Sequence, residues 1–118
     1  MPDPWPRDIK VHRAERALEI VFDDGESFSL PAELLRVESP SAEVQGHGPG
    51  EKRLVPGKRM VGIAQIQPVG NYAIRIVFDD GHDTGLYTWA YLHKLGRDQQ
   101  ALWRAYLDGM AQAGLTRD

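Results

Sequence analysis

The sequence predicts an α+β fold: a small antiparallel-rich sheet built from β-hairpins, a short helix after each Asp-Asp-Gly hairpin, and a C-terminal helix packed on the sheet. Three observations predict it. Ile20-Val21-Phe22-Asp23-Asp24-Gly25 recurs letter for letter as Ile76-Val77-Phe78-Asp79-Asp80-Gly81. Around both copies, apolar and other side chains alternate as they do along a strand with one face on a core. Helical signals gather late in the chain, after Thr88.

Residues 1–8 hold three prolines and no periodicity, which predicts a loosely held arm with Trp5 as an anchor. A single domain is expected over residues 9–116. Residues 9–12 read as a first strand and 17–30 as the first hairpin. Leu18, Ile20 and Phe22 share a face, and Phe28 and Leu30 recover it after the turn. Asp-Gly pairs accept positive backbone angles at low cost, so both repeats favour a reversal. Pro31 suits the first turn of a short helix because its missing N–H would be unbonded there. Residues 38–59 lack an apolar stripe and read as a long, partly mobile loop. A strand over 61–67, a turn at Gly70-Asn71 and a strand over 72–78 lead into the second hairpin. Leu86 stands at the same offset from Gly81 as Leu30 does from Gly25. Thr88 is expected to cap a helix that Gly96 ends, Asp98 to cap the last helix, and Gly114 to close it. Two copies are too few for a solenoid, so the pattern reads as an internal duplication.

Bulk properties narrow the function. At 118 residues the chain suits one domain. It has no cysteine, which excludes disulfides and thiolate metal sites and fits a reducing, cytoplasmic setting. Its net charge of −3 argues against wholesale nucleic-acid binding. No apolar run approaches the ~20 residues of a membrane span.

Two places attract attention. His82 follows the second turn glycine between Asp80 and Asp83, and a regular return strand would put it on the face of Leu86. The loop carries His47 between two glycines, followed by Lys52 and Arg53, and these form a candidate anion or partner site. The segment Leu86-Tyr87-Thr88-Trp89-Ala90-Tyr91 adds Tyr87 and Trp89 as candidate binding aromatics. Ser39 and Ser41 lie in the loop with no histidine near them in sequence, so no nucleophile stands in a recognisable activated context. No catalytic residue is assigned.

The stretches at residues 35–48, 68–73 and 76–96 resemble the gamma-butyrobetaine hydroxylase-like N-terminal domain family, above all its stand-alone bacterial members of unknown function. The resemblance spans nearly all of residues 9–96. It implies a module that elsewhere precedes 2-oxoglutarate-dependent hydroxylase domains or is fused to P-loop ATPases of iron–sulfur assembly. In the hydroxylases it implies a structural zinc held by three cysteines and a histidine. Here the cysteine positions are Ser39, Ser41 and Val44, and only His82 matches. Serine and valine do not replace thiolates on zinc, so the closed site is expected to be lost. The oxygenase chemistry is not expected either, because its facial triad sits on a separate domain.

The expected function is therefore a non-catalytic binding or adaptor domain for a protein partner, in iron–sulfur or metallo-enzyme maturation, with no required cofactor. One alternative is a small-molecule or metal-binding module, with a divalent metal on His82 helped by Asp80, Asp83 or His47. The other is a structural dimerisation domain using the last helix. The chain is expected to be a monomer or weak homodimer.

Overall fold

The computed structural model describes residues 4–46 and 50–118. Among these described residues, two antiparallel three-stranded sheets share one core, with four helices around them. The first sheet contains β1 (Pro6–His12), β2 (Ala17–Phe22) and β3 (Ser27–Pro31), followed by α1 (Ala32–Val37) and α2 (Ala42–Gln45). The second contains β4 (Ile63–Val69), β5 (Ala73–Phe78) and β6 (Leu86–Thr88), followed by α3 (Trp89–Arg97) and α4 (Gln99–Ala113).

The alternation in the repeats does what its period demands. Leu18, Ile20 and Phe22 from β2, and Ile74, Ile76 and Phe78 from β5, all bury their side chains in the same core. Leu30, Leu34, Leu35, Tyr87, Leu92 and Leu95 complete it, and Leu102 and Trp103 bring α4 against it. A second, smaller cluster of Val37, Tyr106 and Met110 ties α4 to the end of α1.

The duplication is deeper than the repeated letters. Both first strands carry a bulge at the same place, between Pro6 and Asp8 in β1 and between Ile63 and Gln65 in β4. In the first unit the Asp23 carboxylate accepts the Trp5 N–H at 3.1 Å, and the Asp23 N–H donates to the Trp5 carbonyl at 2.8 Å. In the second, Asp79 makes the same pair of bonds with Gly62, at 2.9 Å each. The second aspartate of each turn also repeats its role. Asp24 accepts the Glu26 N–H at 2.9 Å, and Asp80 accepts the His82 N–H at 3.0 Å.

The other oxygen of each second aspartate crosses to the opposite unit. Asp80 Oδ2 takes Arg36 Nε of α1 at 2.8 Å, while Asp24 Oδ2 meets His93 Nε2 of α3 at 2.9 Å. Each unit's helix thus holds the other unit's turn.

Several expectations need correction. β1 starts at Pro6, because Trp5 is already paired with Asp23 and meets Trp89 edge-on at 6.3 Å. The equivalence of Leu30 and Leu86 fails by one residue. Leu18 pairs with Leu30, but Ile74 pairs with Tyr87. The second return arm holds one extra residue, and such a slip exchanges the two faces of a strand. Tyr87 is therefore buried, and Leu86 is exposed. His82 is buried even though strand β6 begins only at Leu86, so its face is set by the irregular arm and not by strand alternation.

Residues 38–46 are packed structure and not loose loop: Glu38, Ser39, Ser41 and Val44 are buried, and Ser41 caps α2. Thr88 caps α3 as expected, accepting the Tyr91 N–H. Gly96 does not end that helix, which continues to Arg97. Its hydrogen faces the Phe28 ring so closely that a methyl group would overlap it. The Asp98 side chain makes no capping bond to α4. Gly114 closes α4 in the left-handed conformation, with φ +69°. The ordered chain also runs past residue 116. Arg117 chelates Glu33 through Nη2 at 2.7 Å and Nε at 2.8 Å, and lies 5.1 Å over the Trp103 ring.

Two measurements check this account. Gly→Ala inside a helix ordinarily stabilises by up to ~1 kcal/mol. Gly96→Ala should instead destabilise by about 1–3 kcal/mol, because overpacking against Phe28 outweighs propensity. A raised midpoint in urea unfolding would refute the close approach.

The second concerns Asp80. Burial acts to raise its pKa, but hydrogen bonds from Lys58, the His82 amide and Arg36 overcome this and hold it at about 2. A folded value below the unfolded one of about 3.9 gives stability that is present above pH ~4 and lost as pH falls towards 2. Asp80→Asn should cost about 1 kcal/mol at pH 7, allowing for solvent screening, and should flatten that acid limb. An unchanged pH profile would show that the contact contributes nothing.

Candidate functional site

The two units differ most at the second turn. Where the first has exposed Glu26, the second has His82, whose ring is buried against α2 and the residues before it. The Phe78 N–H donates to the His82 carbonyl at 3.0 Å, closing the turn over Gly81 with φ +92°. The extra residue of the return arm then lets residues 82–85 leave strand geometry.

The ring is held at both nitrogens. Nε2 lies 2.9 Å from Ser39 Oγ, and Nδ1 lies 3.1 Å from Glu43 Oε2. Ser39 Oγ also accepts the Ser41 N–H at 3.3 Å. Thr84 Oγ1 donates to Glu43 Oε1 at 3.2 Å, which leaves the Ser41 hydroxyl to donate to Thr84 over 2.7 Å. The Ser41 oxygen in turn accepts the Glu43 N–H at 3.2 Å. A donor at Nδ1 towards Glu43 and an acceptor at Nε2 for the Ser39 hydroxyl satisfy every one of these atoms, an assignment read from the hydrogen-bond network. Gly85 makes room for the cluster, because a Cβ there would stand 2.5 Å from Ser39 Oγ.

The order Ser39, His82, Glu43 has the connectivity of a nucleophile, a base and its orienting carboxylate. The histidine beside Ser39 comes from 43 residues further along the chain. Ser39 is nevertheless 0% exposed, so no substrate carbonyl reaches Oγ. The arrangement works as a clasp that fastens residues 38–46 to the second hairpin.

The remaining predicted site residues disperse. His47 lies outside the described residues. Asp83 is exposed and makes no hydrogen bond to the clasp. Lys52 is not available for an anion, since its ammonium holds both oxygens of buried Glu38 at 2.6 and 2.7 Å. Arg53 is exposed, and its backbone N–H pairs with the Val44 carbonyl at 2.7 Å. Tyr87 is a core residue whose hydroxyl donates to the Leu35 carbonyl. Burial pushes its pKa up. Tyr91 donates to the Glu38 carbonyl, and burial, then the Glu38 charge, push it up to about 12. Trp89 is half-buried and donates from Nε1 to the Asn71 carbonyl at 2.9 Å.

Sequence reading missed Glu43, Thr84 and the role of Asp80, which Arg36 and Lys58 (2.6 Å) both grip. It also missed a cleft of about 640 Å³ between α1 and α4, floored by Leu34, Trp103 and Leu107. A second cleft of about 670 Å³ shares Gln99, Gln100 and Arg104 with it. The signal was present in α4, where Trp103 and Leu107 stand four residues apart beside Arg104.

Residues 9–93 match the family described as gamma-butyrobetaine hydroxylase-like, N-terminal. The chain belongs to that family. No curated protein matches it. Among solved structures, one protein determined by NMR in solution is 46% identical, with TM-score 0.87, over 99% of this chain and 92% of its own. A second NMR structure is 52% identical, with TM-score 0.83, over 97% of this chain and 85% of its own. A crystal structure of a protein of unknown function from Acidithiobacillus ferrooxidans, in the DUF971 family, is 37% identical. It has TM-score 0.65 and covers 77% of this chain and 91% of that one.

The zinc set that the family resemblance implies can be tested on the fold. Ser39 and His82 do meet, but the Ser39 oxygen is bonded to the ring, the Ser41 oxygen is bonded to Thr84, and Val44 offers only hydrocarbon. These four residues do not fit zinc. Among the described residues, no three His, Cys, Asp or Glu side chains converge as a metal site. No described helix is long and apolar enough to cross a membrane.

In this family member the clasp carries a stability signature. His82→Ala should cost about 2–3 kcal/mol, combining lost packing with unpaired buried polar atoms. Amide exchange should accelerate over residues 38–46. Unchanged protection there would show that the segment is held by something else.

Proposed function

We propose that this protein is a non-catalytic binding domain that acts on a partner protein in the cytoplasm. One observation carries the reading. The most reactive-looking residues, Ser39 and His82, spend their polar atoms on each other and on neighbours inside the fold, whereas the α1–α4 cleft stands open with an apolar floor. A buried and saturated hydrogen-bond cluster provides rigidity, while a concave apolar surface with a few polar groups suits recognition. The absence of cysteine agrees with a reducing compartment. Maturation of metallo-enzymes is the setting that the family resemblance suggests, and it remains part of the proposal.

Leu107 is 37% exposed at the cleft, so a charge there should leave the fold intact. Affinity capture from native lysate should retain a defined partner on the wild-type protein and lose it on Leu107→Asp. Capture of nothing above background, or equal capture by both proteins, would reject a partner-binding role for this cleft.

A further inference from the structure

The two clefts adjoin along α4 through Gln99, Gln100 and Arg104, and together their lining is more basic than the chain as a whole. The net charge of the protein is −3, yet the groove lining holds Arg97, Arg104 and Arg117 against two carboxylates. One of these, Glu33, is buried and chelated by Arg117. The other, Asp98, lies 3.6 Å from Arg97. Arg104 is exposed and has no carboxylate partner among the described residues. Arg117 gives Nε and Nη2 to Glu33, and its remaining nitrogen has no hydrogen bond to a described residue. Leu34, Trp103 and Leu107 line the same cleft, with the Arg117 guanidinium over the Trp103 ring.

We infer that the groove receives a short acidic, amphipathic segment of the partner, with an apolar side chain set between Trp103 and Leu107 and an adjoining carboxylate on Arg104. This rests on the proposed binding role and adds the chemistry of what is bound. Charge complementarity decides the class. An apolar floor alone would accept many sequences, whereas a cation with no internal partner selects for carboxylates and against lysine or arginine. Arginine suits the task because its planar fork pairs with a carboxylate through two donors. A second copy of this chain is a poorer occupant on general grounds, since an isologous contact would set Arg104 near its own symmetry mate.

The test is selection from a phage-displayed library of random dodecapeptides on the purified full chain. Enriched sequences should combine Leu, Ile or Phe with adjacent Asp or Glu. Fluorescence polarisation should show Arg104→Glu weakening the selected peptides by about tenfold, the equivalent of about 1.4 kcal/mol. Leu107→Asp should remove binding altogether. Amide spectra of both variants should match wild type outside the groove.

Selected peptides without acidic residues would overturn the inference, as would affinities indifferent to Arg104→Glu. So would no selection at all, or sedimentation showing self-association that Leu107→Asp abolishes. A lysate partner that is lost on Leu107→Asp but indifferent to Arg104→Glu would preserve the binding role and reject the acidic class.

Discussion

The fold depends on a reciprocal exchange between two aspartates and two helices. Each Asp-Asp-Gly turn uses its first aspartate to staple the start of its own sheet and its second to reach across the domain. Asp80 takes Arg36 from α1, and Asp24 takes His93 from α3. Neither three-stranded unit completes its own turn. A sheet of this size with one solvated face is marginal alone, and here each sheet is covered by the other and by the other's helix. The two crossings differ in strength because Asp80 is also gripped by Lys58 and lies further from solvent.

Departures from the duplication mark the specialised regions. One extra residue in the second return arm moves Tyr87 into the core and frees residues 82–85 from strand geometry. That freedom lets His82 turn inward to Ser39 and Glu43, where its counterpart Glu26 stays in solvent. The first unit continues into residues 38–46, which the His82 clasp holds down. The second continues into α4, which supplies Trp103, Arg104 and Leu107 to the groove. The chemistry of the domain has therefore accumulated where its two halves stopped matching.

This arrangement separates a buried polar clasp from an open apolar groove. The clasp is polar, buried and internally satisfied, so it defines one arrangement of a segment with little apolar area of its own. The groove is apolar, open and cationic, so its unsatisfied capacity faces outward. Within the groove, Arg117 neutralises buried Glu33, stacks on Trp103 and contributes to the rim.

Much of the architecture was legible from letters alone. Period-two alternation and the repeated Asp-Asp-Gly turns determined the hairpins, Thr88 the start of α3, and Gly114 the end of α4. These are local matters, settled by torsion preferences and by which side chains share a face. The sequence also determined that no thiolate site exists, because no cysteine is present. Tertiary structure alone decided the rest. Gly96 looked like a helix terminator, but its smallness serves the Phe28 ring. Lys52 looked like an anion contact until packing brought Glu38 beneath it. Ser39 and His82 stand far apart in sequence, so no spacing rule could have joined them. A long-range contact depends on chain closure and on a one-residue slip, and a slip of that size is invisible in a pattern whose letters still alternate.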